Sequence, residues 1–323
     1  MTSHPIANYG DGTESGSEAG TSIKSPDQPA CLLSIIIVTY NSIDEISGCL
    51  SSVPATLRRA GVETLVVDNA SQDGTPDCIR RNFPQVRVID AGENLGFSKA
   101  NNRGFDAASG EYILFLNPDT VLNSEALEAC LDRLMSEPQI GVISPRLVLA
   151  NGNIDLACRR SIGTTWDGLT RASGLSRWMP HVPLFSGYNL TYLPEGDTYS
   201  VGAVNGAFML MPRRVLTRIG LFDEQFFMYA EDLDLCLRCT RAGYKVIYDG
   251  RHSITHLKGQ SSSKSSSVMS EAVFTSTKLF YLKHFNVRDS RFTRFKFDLL
   301  FGLWARVNKL RARLAGHRAA RPL

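Results

Sequence analysis

The chain has 323 residues, of which 43% are hydrophobic and 21% are charged, and its mean hydropathy is −0.10. These values exclude a fibrous or wholly disordered protein and allow one large globular domain or two small ones. The formal net charge of +3 argues against a nucleic-acid-binding protein, which usually carries a strong basic excess.

Residues 1–30 are rich in Gly, Ser, Thr, Asp, Glu and Pro and nearly lack large apolar side chains, which predicts a disordered leader. Folded structure is expected to begin at 31–38, an almost wholly apolar run that is typical of a strand buried on both faces. A helix is predicted over 42–60 with an interruption near Pro54, and a second buried strand follows at 63–68.

The alternation continues with a helix that begins near 73–76, a strand at 86–90, a helix over 98–109 and a strand at 112–116. Strands and helices that alternate in this way, with about 25 to 30 residues per unit, indicate an α/β fold with a mostly parallel sheet and crossover helices. In such sheets, ligands bind beyond the carboxyl ends of the strands.

The second half of the chain is less regular. Residues 150–205 show weak periodicity, which predicts an irregular stretch that is functional or mobile. A strand, a turn and a helix are predicted over 204–220, and a short strand at 245–248. His256 is then expected in a loop, and the Ser-rich run 261–267 is expected to be a flexible flap or linker.

Seven cysteines, an odd number scattered through apolar stretches, predict reduced thiols and a cytoplasmic location. Cys236 and Cys239 form a CxxC, but no second pair accompanies them, so packing in a helix is favoured over a metal or redox role. The N-terminus lacks the features of a signal peptide, and no apolar run approaches the roughly 20 residues that a membrane-spanning helix needs.

Four polar clusters stand at the expected carboxyl ends of strands. Asn, Asp, Gly and Pro form turns and cap helices, so each cluster alone has a local explanation. Four clusters at one sheet edge favour a binding site instead. The clusters are Thr39–Asn41, Asp68–Ser71, Asn94–Gly96 and Asn117–Asp119.

Metal ligands are suggested at two places. Asp119 follows an apolar strand, and a carboxylate there could hold Mg²⁺ or Mn²⁺ against a diphosphate, although a turn role after Pro118 explains it equally well. His256, with His252 near it, could supply an imidazole ligand, although a lone loop histidine is more often a surface residue.

A cluster of acids, Glu231, Asp232 and Asp234, precedes an apolar helical pattern. Acids in a first turn are stabilised by the helix dipole, whereas a functional role would make one of them a general base for an incoming hydroxyl. The aromatic side chains within 226–229 would line such a site. Hydrolase or kinase chemistry is disfavoured because no Gly-x-Ser-x-Gly, HExxH or Walker-type loop occurs.

Taken in order, six segments resemble the family 2 inverting glycosyltransferases of the GT-A fold, and within them the bacterial rhamnosyltransferase group. The resemblance spans about residues 32–285, and the order of the motifs makes it more specific than any single motif. The segments are SIIIVTYN, VVDNASQDGT, ENLGFSKANNRG, YILFLNPDT, VNGAFMLMPR and GLFDEQFFMYAEDLDLCLRCTRAGYKVIY, followed by the loop that contains His256.

The resemblance implies transfer of a sugar from a nucleotide diphosphate sugar to an acceptor hydroxyl, with inversion in one displacement and with Mg²⁺ or Mn²⁺ as cofactor. It implies a metal site at Asp119 and His256. It also implies a catalytic base at Asp232, with Glu231 beside it, and hydrogen bonding of the pyrimidine base by Asp68. The implied nucleotide-sugar site comprises Thr39, Tyr40, Asn41, Asp68, Asn94, Gly96, Phe97, Asn102 and Asn117.

Two positions depart from the family pattern. Asn117 stands where the metal-binding Asp-x-Asp has its first acid, which leaves one carboxylate and puts the metal affinity in question. Asn101 stands where many members have Arg, so a cationic phosphate contact is missing there unless Lys99 replaces it.

The C-terminal residues 288–323 hold ten Lys or Arg and two Asp, a net charge of +8, whereas the first 287 residues sum to −5. Apolar residues recur there at intervals of three or four, which predicts a basic amphipathic helix on an anionic membrane surface. The alternative is a helix that packs this stripe of apolar side chains on the catalytic domain or on a second subunit. The stripe comprises Phe292, Phe295, Leu299, Leu303, Val307, Leu310 and Leu314.

The sequence therefore predicts a leader, one catalytic domain over 31–287 and the basic helix. The expected activity is rhamnosyl transfer from dTDP-rhamnose to a glycan or polyprenyl-linked precursor at the inner face of the cell membrane, for cell-surface polysaccharide. The alternatives are a UDP- or GDP-sugar donor and a non-catalytic scaffold that binds nucleotide sugars; a homodimer is compatible with either. A nucleotidyltransferase is disfavoured because the first strand lacks a Gly-rich loop with Arg and Lys.

Overall fold

The structure is a computed structural model, and it describes residues 31–58, 61–257 and 266–285 together with Gly302. The predicted leader lies outside the described residues, and so does the predicted basic helix except for Gly302. Most of the Ser-rich run lies there too, but its last two residues begin a helix, Ser266–His284, and are no part of a flap. No helix in the described parts of the chain is both long and apolar enough to cross a membrane.

The N-terminal half alternates strands and helices as the sequence predicts. Its elements are β1 (Cys31–Thr39), α1 (Ile43–Ser52), β2 (Gly61–Asp68), α2 (Thr75–Asn82), β3 (Arg87–Asp90), α3 (Gly96–Ala107) and β4 (Tyr112–Leu116). Helix α1 is shorter than the predicted 42–60. It ends at Ser52 because a residue before proline avoids the helical region, and Val53, which precedes Pro54, is extended.

Within the described residues, the C-terminal half contains five strands and seven helices. They are β5 (Thr120–Val121), α4 (Ser124–Ser136), β6 (Ile140–Leu149), α5 (Thr165–Ser173), α6 (Leu175–Trp178), α7 (Pro183–Ser186), β7 (Thr198–Ser200), β8 (Phe208–Pro212), α8 (Arg213–Ile219), α9 (Glu231–Arg241), β9 (Lys245–His256) and α10 (Ser266–His284). The segment 150–205 is therefore not irregular throughout, because it contains three helices and a strand. His256 is the last residue of a strand and not part of a loop, because the second half of β9 pairs with β6 and β5.

The strands form one mixed sheet in the order β3-β2-β1-β4-β8-β6-β9-β5, with β7 beside β9. Strands β1 to β4 run parallel, so their carboxyl ends meet at one edge. Strand β1 is buried on both faces, as its apolar run predicts: Leu33, Ile35, Ile36 and Ile37 are fully buried. Strand β8 is antiparallel to β4, which brings the turn before β8 to the same edge.

A buried carboxylate attaches α10 to α9. Asp234 is fully buried and accepts hydrogen bonds from Arg238 Nε at 2.8 Å and from Lys283 Nζ and His284 Nε2 at 2.6 Å each. Arg241 can only donate, and it donates to His284 Nδ1 at 2.9 Å, so the imidazole proton is on Nε2. These contacts hold α10 against α9.

The CxxC pair lies inside α9. Cys236 and Cys239 are free thiols that are fully buried. Burial raises the pKa of the Cys239 thiol to about 12, so the side chain is protonated and packs as an apolar group at neutral pH.

Candidate active site

The loops after β1 and β2 are joined through one carboxylate. Asp68 is 2% exposed, and its Oδ1 accepts hydrogen bonds from Thr39 Oγ1 at 2.9 Å and Ser71 Oγ at 2.6 Å. Its Oδ2 accepts from the Ser71 backbone N–H at 2.8 Å. A carboxylate offers about four acceptor positions, so the described residues leave one position of Asp68 without a donor.

The neighbouring turn presents an aromatic ring to solvent. Tyr40 is 51% exposed, while the next residue, Asn41, has a left-handed backbone with φ of 53°. Asn41 Oδ1 accepts a hydrogen bond from the Gln72 N–H at 2.8 Å, and its own N–H donates to Ser71 Oγ at 2.8 Å. The turn is thus held in place while the Tyr40 side chain is left accessible.

A glycine brings the third polar cluster against a distant aromatic segment. Gly96 has φ of +76°, and a Cβ there would overlap the backbone and ring of Phe227. The Phe97 N–H donates to Phe227 O at 2.7 Å, and Asn94 Oδ1 accepts from the Gly96 N–H at 3.0 Å. The site therefore requires glycine at this position because the two backbones touch.

Two asparagines of α3 are occupied by contacts within the protein. The Asn102 amide donates to Phe222 O at 2.9 Å and Glu224 Oε1 at 3.1 Å, and its oxygen accepts from the Phe222 N–H at 3.1 Å. Asn101 is buried and donates to Phe97 O at 3.0 Å, whereas Lys99 is exposed. Asn102 thus fixes the segment before Phe227, and Asn101 fixes its own helix.

Asp119 and His256, which are far apart in the sequence, lie close together at the sheet edge. Thr120, next to Asp119, pairs with His256 between β5 and β9. His256 Nε2 lies 3.3 Å from Asp119 Oδ1, an ion-pair distance without hydrogen-bond alignment. On its other side, His256 Nδ1 lies 3.0 Å from Asp155 Oδ2, to which it donates because a carboxylate only accepts.

These residues suit a divalent cation. Asp119 Oδ1 is buried and has no hydrogen-bond partner among the described residues. A histidine whose second nitrogen donates to a carboxylate, as His256 donates to Asp155, is the usual arrangement of a metal-ligating imidazole. No cluster of three or more His, Cys, Asp or Glu that could hold a metal occurs in the described part of the chain, so a cation here would take its other ligands from phosphate oxygens and water.

The carboxylates on the two sides of His256 raise its pKa. Burial disfavours the imidazolium, but the carboxylates of Asp119 and Asp155 outweigh burial and raise the pKa of His256 to about 9. His252, the other histidine suggested by the sequence, lies 2.7 Å from Asp249 through Nδ1 and does not join this group.

The acid that matches the family base is held by a buried arginine. Asp232 is 8% exposed, and its Oδ2 accepts hydrogen bonds from Arg160 Nη2 at 2.6 Å and the Gly206 N–H at 3.2 Å. Its Oδ1 accepts only from the adjacent Leu233 N–H, at 2.7 Å, within the described residues. Burial opposes the charged guanidinium, but Asp232 outweighs it and raises the pKa of Arg160, so the pair is ionic.

Glu231 lies directly before Asp232 and lacks its hydrogen bond to Arg160. It is buried, and its Oε2 has no hydrogen-bond partner in the described part of the chain. Burial, together with the charge of Asp232, raises the pKa of Glu231 well above its usual range. Tyr229 and Ala230, with φ of 69° and 63°, form the sharp turn that places both acids in the first turn of α9.

Two consecutive residues connect the histidine and the acid. Asn205 Nδ2 donates to Asp155 Oδ2 at 3.3 Å, and the next residue, Gly206, donates its N–H to Asp232. The turn before β8 therefore contacts Asp232 directly and His256 through Asp155. Sequence reasoning missed Asp155 and Arg160 because their partners lie 101 and 72 residues away along the chain. The paired arginines within CRRS were the only local sign.

Comparison with known proteins agrees with this geometry. A family model described as Glycosyl transferase family 2 matches residues 34–197, just over half of the chain. The chain belongs to glycosyl transferase family 2. The family resemblance in the sequence is thereby confirmed, and the protein is a glycosyltransferase.

Two relatives of this family 2 glycosyltransferase are named as sugar transferases. An N-acetylglucosaminyl-diphospho-decaprenol L-rhamnosyltransferase of Mycobacterium tuberculosis is 28% identical over 244 residues, which cover 72% of this chain and 78% of the relative. A low-salt glycan biosynthesis hexosyltransferase of Haloferax volcanii is 29% identical over 218 residues, which cover 66% of this chain and 63% of the relative.

Solved structures confirm the GT-A fold of this family 2 glycosyltransferase. A mannosyltransferase of Pyrobaculum calidifontis in complex with GDP-Man and Mn²⁺ has a TM-score of 0.55 at 18% identity, with 92% of this chain and 77% of that chain covered. TarS of S. aureus in complex with UDP-GlcNAc has a TM-score of 0.51 at 17% identity, with 90% and 76% covered. At this level of identity the likeness concerns the fold.

Proposed function

We propose that this glycosyltransferase moves rhamnose from dTDP-rhamnose to a hydroxyl of a polyprenyl-linked glycan, with inversion at the anomeric carbon. The choice of rhamnose and of a lipid-linked acceptor is supported by the 28% identical relative, whose name states both, and by coverage of most of both chains. The proposed product serves cell-surface polysaccharide synthesis.

The observation that carries the proposal is the pairing of two groups through the turn before β8. Asn205 contacts the carboxylate that orients His256, and Gly206 contacts Asp232. Departure of the diphosphate and deprotonation of the acceptor hydroxyl must occur around a single carbon. The residues that assist these two events, His256 and Asp232, therefore have to be held at a fixed distance from each other. A shared turn provides this because it fixes both groups to one rigid backbone segment.

The donor is assigned to the edge formed by β1, β2 and α3. The ring of Tyr40 is accessible for stacking, and Asp68 retains one acceptor position for the pyrimidine. Asn102 has its amide occupied by Phe222 and Glu224, so we assign it the role of positioning the aromatic segment. The donor-site residues are Thr39, Tyr40, Asn41, Asp68, Asn94, Gly96, Phe97 and Asn117.

The base is assigned to Asp232. Its Oδ1 accepts one backbone hydrogen bond and can take the acceptor proton, while Oδ2 stays bound to Arg160 and Gly206. As the proton moves to Oδ1, the acceptor oxygen bonds to the anomeric carbon and the bond from that carbon to the diphosphate oxygen breaks. Glu231, whose raised pKa favours the neutral acid, contributes no second negative charge beside it.

Mg²⁺ or Mn²⁺ is assigned to Asp119 and His256. When bound there, the cation stabilises the charge of the leaving diphosphate as a Lewis acid. The residue at 117 is Asn, so the protein contributes a single carboxylate at this motif. His256, whose pKa is raised to about 9, has to lose a proton to bind the metal. Asp155 maintains the imidazole tautomer that leaves Nε2 available.

The protein is proposed to work at the inner face of the cell membrane as a peripheral protein. A lipid-linked acceptor requires this location, and the net charge of +8 in 288–323 favours contact with anionic lipid. A homodimer is compatible with the same arrangement.

A transfer assay tests the proposal. The full-length protein is incubated with Mg²⁺ or Mn²⁺, a polyprenyl-diphosphate N-acetylglucosamine acceptor and one of dTDP-rhamnose, GDP-mannose or UDP-N-acetylglucosamine. We expect dTDP release with formation of a rhamnosylated lipid whose anomeric configuration is inverted by NMR. Transfer from a UDP- or GDP-sugar alone would replace the donor assignment.

The alternative donors are motivated by the solved structures with GDP-Man and UDP-GlcNAc. A non-catalytic scaffold is motivated by Asn117, which removes one acid from the metal motif. Calorimetry separates it from an enzyme: dTDP binding that is independent of metal, with no turnover for any donor or acceptor, would favour the scaffold.

A further inference from the structure

Three short helices form a compact insert between β6 and β7, here named the helical insert (residues 164–188). Its first helix begins with a capping box in which Thr164 and Asp167 bond each other's backbone and side chain. Trp166 Nε1 donates to Leu184 O at 2.7 Å, and the Arg171 guanidinium lies 4.2 Å from the centre of the Tyr188 ring. The helical insert is therefore an ordered unit whose surface can recognise a partner.

Large apolar side chains of this unit face solvent. Trp178 is 80% exposed, Leu184 61%, Trp166 45% and Leu169 44%. These four belong to the eleven exposed large hydrophobic residues of the described chain, although the insert contributes only 25 residues. Exposed apolar groups concentrated in this way mark an interaction surface, and tryptophan is the residue enriched at the boundary between lipid and water.

The charges of the insert indicate the kind of partner. Its single acid, Asp167, is 7% exposed and is used in the capping box. Arg171 and Arg177 are exposed, so the surface carries cations and no exposed carboxylate. Two copies of such a surface repel each other, whereas a bilayer that contains anionic lipid attracts it.

The insert also lies beside the proposed acceptor site. The chain runs from Arg160, which binds Asp232, through Ser161 into the insert four residues later. The Ser161 N–H donates to Tyr188 O at 2.8 Å, which joins both ends of the insert to this segment. A surface bound through the insert would therefore be close to the acid that receives the acceptor.

We propose that the helical insert binds the surface of an anionic phospholipid bilayer, with its exposed Trp and Leu side chains in the headgroup region and Arg171 and Arg177 on lipid phosphates. This contact is separate from any contact of 288–323. It does not depend on the donor sugar or on the role of Asp232, so it can fail while the proposed activity holds.

The test uses the full-length protein and vesicles of phosphatidylcholine, with or without an equal part of phosphatidylglycerol. The variant Arg177→Glu/Trp178→Ser/Leu184→Ser removes a cation and two apolar anchors without touching the catalytic groups. We expect its partition coefficient on anionic vesicles to fall by about tenfold or more, since each buried apolar side chain and each cation contributes on the order of tenfold or less. Thermal unfolding monitored by circular dichroism checks that the variant folds.

The matched control, Arg81→Glu/Met135→Ser, makes the same change in charge on α2 and α4 and should partition like wild type. Brominated lipid should quench the tryptophan fluorescence of wild type more than that of Trp178→Phe, which reports on the insert even if 288–323 also binds. Equal partitioning of the insert variant and wild type, with no difference in quenching, would overturn the proposal. A dimer in sedimentation velocity that the insert variant abolishes would identify a second copy as the partner and overturn it as well.

Discussion

Arg160 and Asp232, 72 residues apart in sequence, form a buried ion pair in which Nη2 lies 2.6 Å from Oδ2. Arg160 also donates to Val204 O at 2.6 Å, so the pair is attached to the segment that leads into the turn before β8. The guanidinium offsets the cost of burying the Asp232 charge and contacts Oδ2, so that Oδ1 is bound by the Leu233 N–H and not by the arginine.

Arg160→Lys should lower kcat by about 100-fold, because an ammonium cannot bind Asp232 and Val204 O in the same plane and a small displacement of a base costs this much. The matched control is Arg159→Lys. Arg159 is also buried, but it donates to Pro194 O and Leu193 O and lies over the Tyr248 ring, so its replacement should lower stability more than kcat. Steady-state kinetics and thermal unfolding of both variants separate the two effects, and equal kcat values for them would contradict the role of Arg160.

The two adjacent acids should respond differently to amide substitution. Asp232→Asn should lower the transfer rate by about 10²- to 10⁴-fold with unchanged donor binding, because an amide cannot accept the proton. Glu231→Gln should retain most of the rate, since the raised pKa of Glu231 already favours an uncharged side chain that Gln imitates. Single-turnover transfer with calorimetry of dTDP binding is the measurement. A larger loss in Glu231→Gln would assign the base to Glu231.

Substitutions at 117 and 119 should move metal affinity in opposite directions. Asp119→Asn removes the carboxylate whose Oδ1 is buried without a hydrogen-bond partner among the described residues, and should weaken Mn²⁺ binding in the presence of dTDP by at least about tenfold. Asn117→Asp adds a carboxylate and should strengthen Mn²⁺ binding. Mn²⁺ titration followed by electron paramagnetic resonance measures both, with His252→Asn, outside the site, as the control. Unchanged affinity in Asp119→Asn would place the metal elsewhere.

Acid should weaken the attachment of α10. Burial raises the pKa of Asp234, but Lys283, Arg238 and His284 outweigh burial and lower it below its ordinary value of 3.8. The carboxylate thus contributes stability that is complete above that ordinary value and is lost as the pH falls below it. Asp234→Asn should lower the free energy of unfolding by about 3 kcal/mol at neutral pH, with a difference from wild type that shrinks in acid.

Urea unfolding at a series of pH values measures this difference. Asp77→Asn is the control, because Asp77 has a 71% exposed side chain and its pair with Arg80 should contribute less than about 1 kcal/mol. A difference between Asp234→Asn and wild type that stays constant into acid would show that the charge of Asp234 is not what holds α10.

Local pattern was sufficient for the parallel half of the sheet. The apolar run of β1 and the alternation up to β4 follow from the need of a parallel strand to be buried on both faces. Strand β6 and the second half of β9 were missed, and they pair with each other. Polar residues such as Arg251 and His252 interrupt the apolar pattern of β9, so its second half is stabilised by pairing with a distant strand and not by local pattern. Helices α6 and α7 of the insert were missed because four-residue helices have too few turns to show a period.

The sequence by itself determined the family, the sheet edge and the residue types available there, because motifs and strand ends are local properties of the chain. Only the tertiary structure decided which groups touch. It placed Asp119 beside His256, bound Asp155 to the far side of that imidazole, and set Arg160 against Asp232. These contacts join residues 72 to 137 positions apart, and the distance between such residues depends on how strands order and helices pack across the whole sheet, which no local pattern encodes.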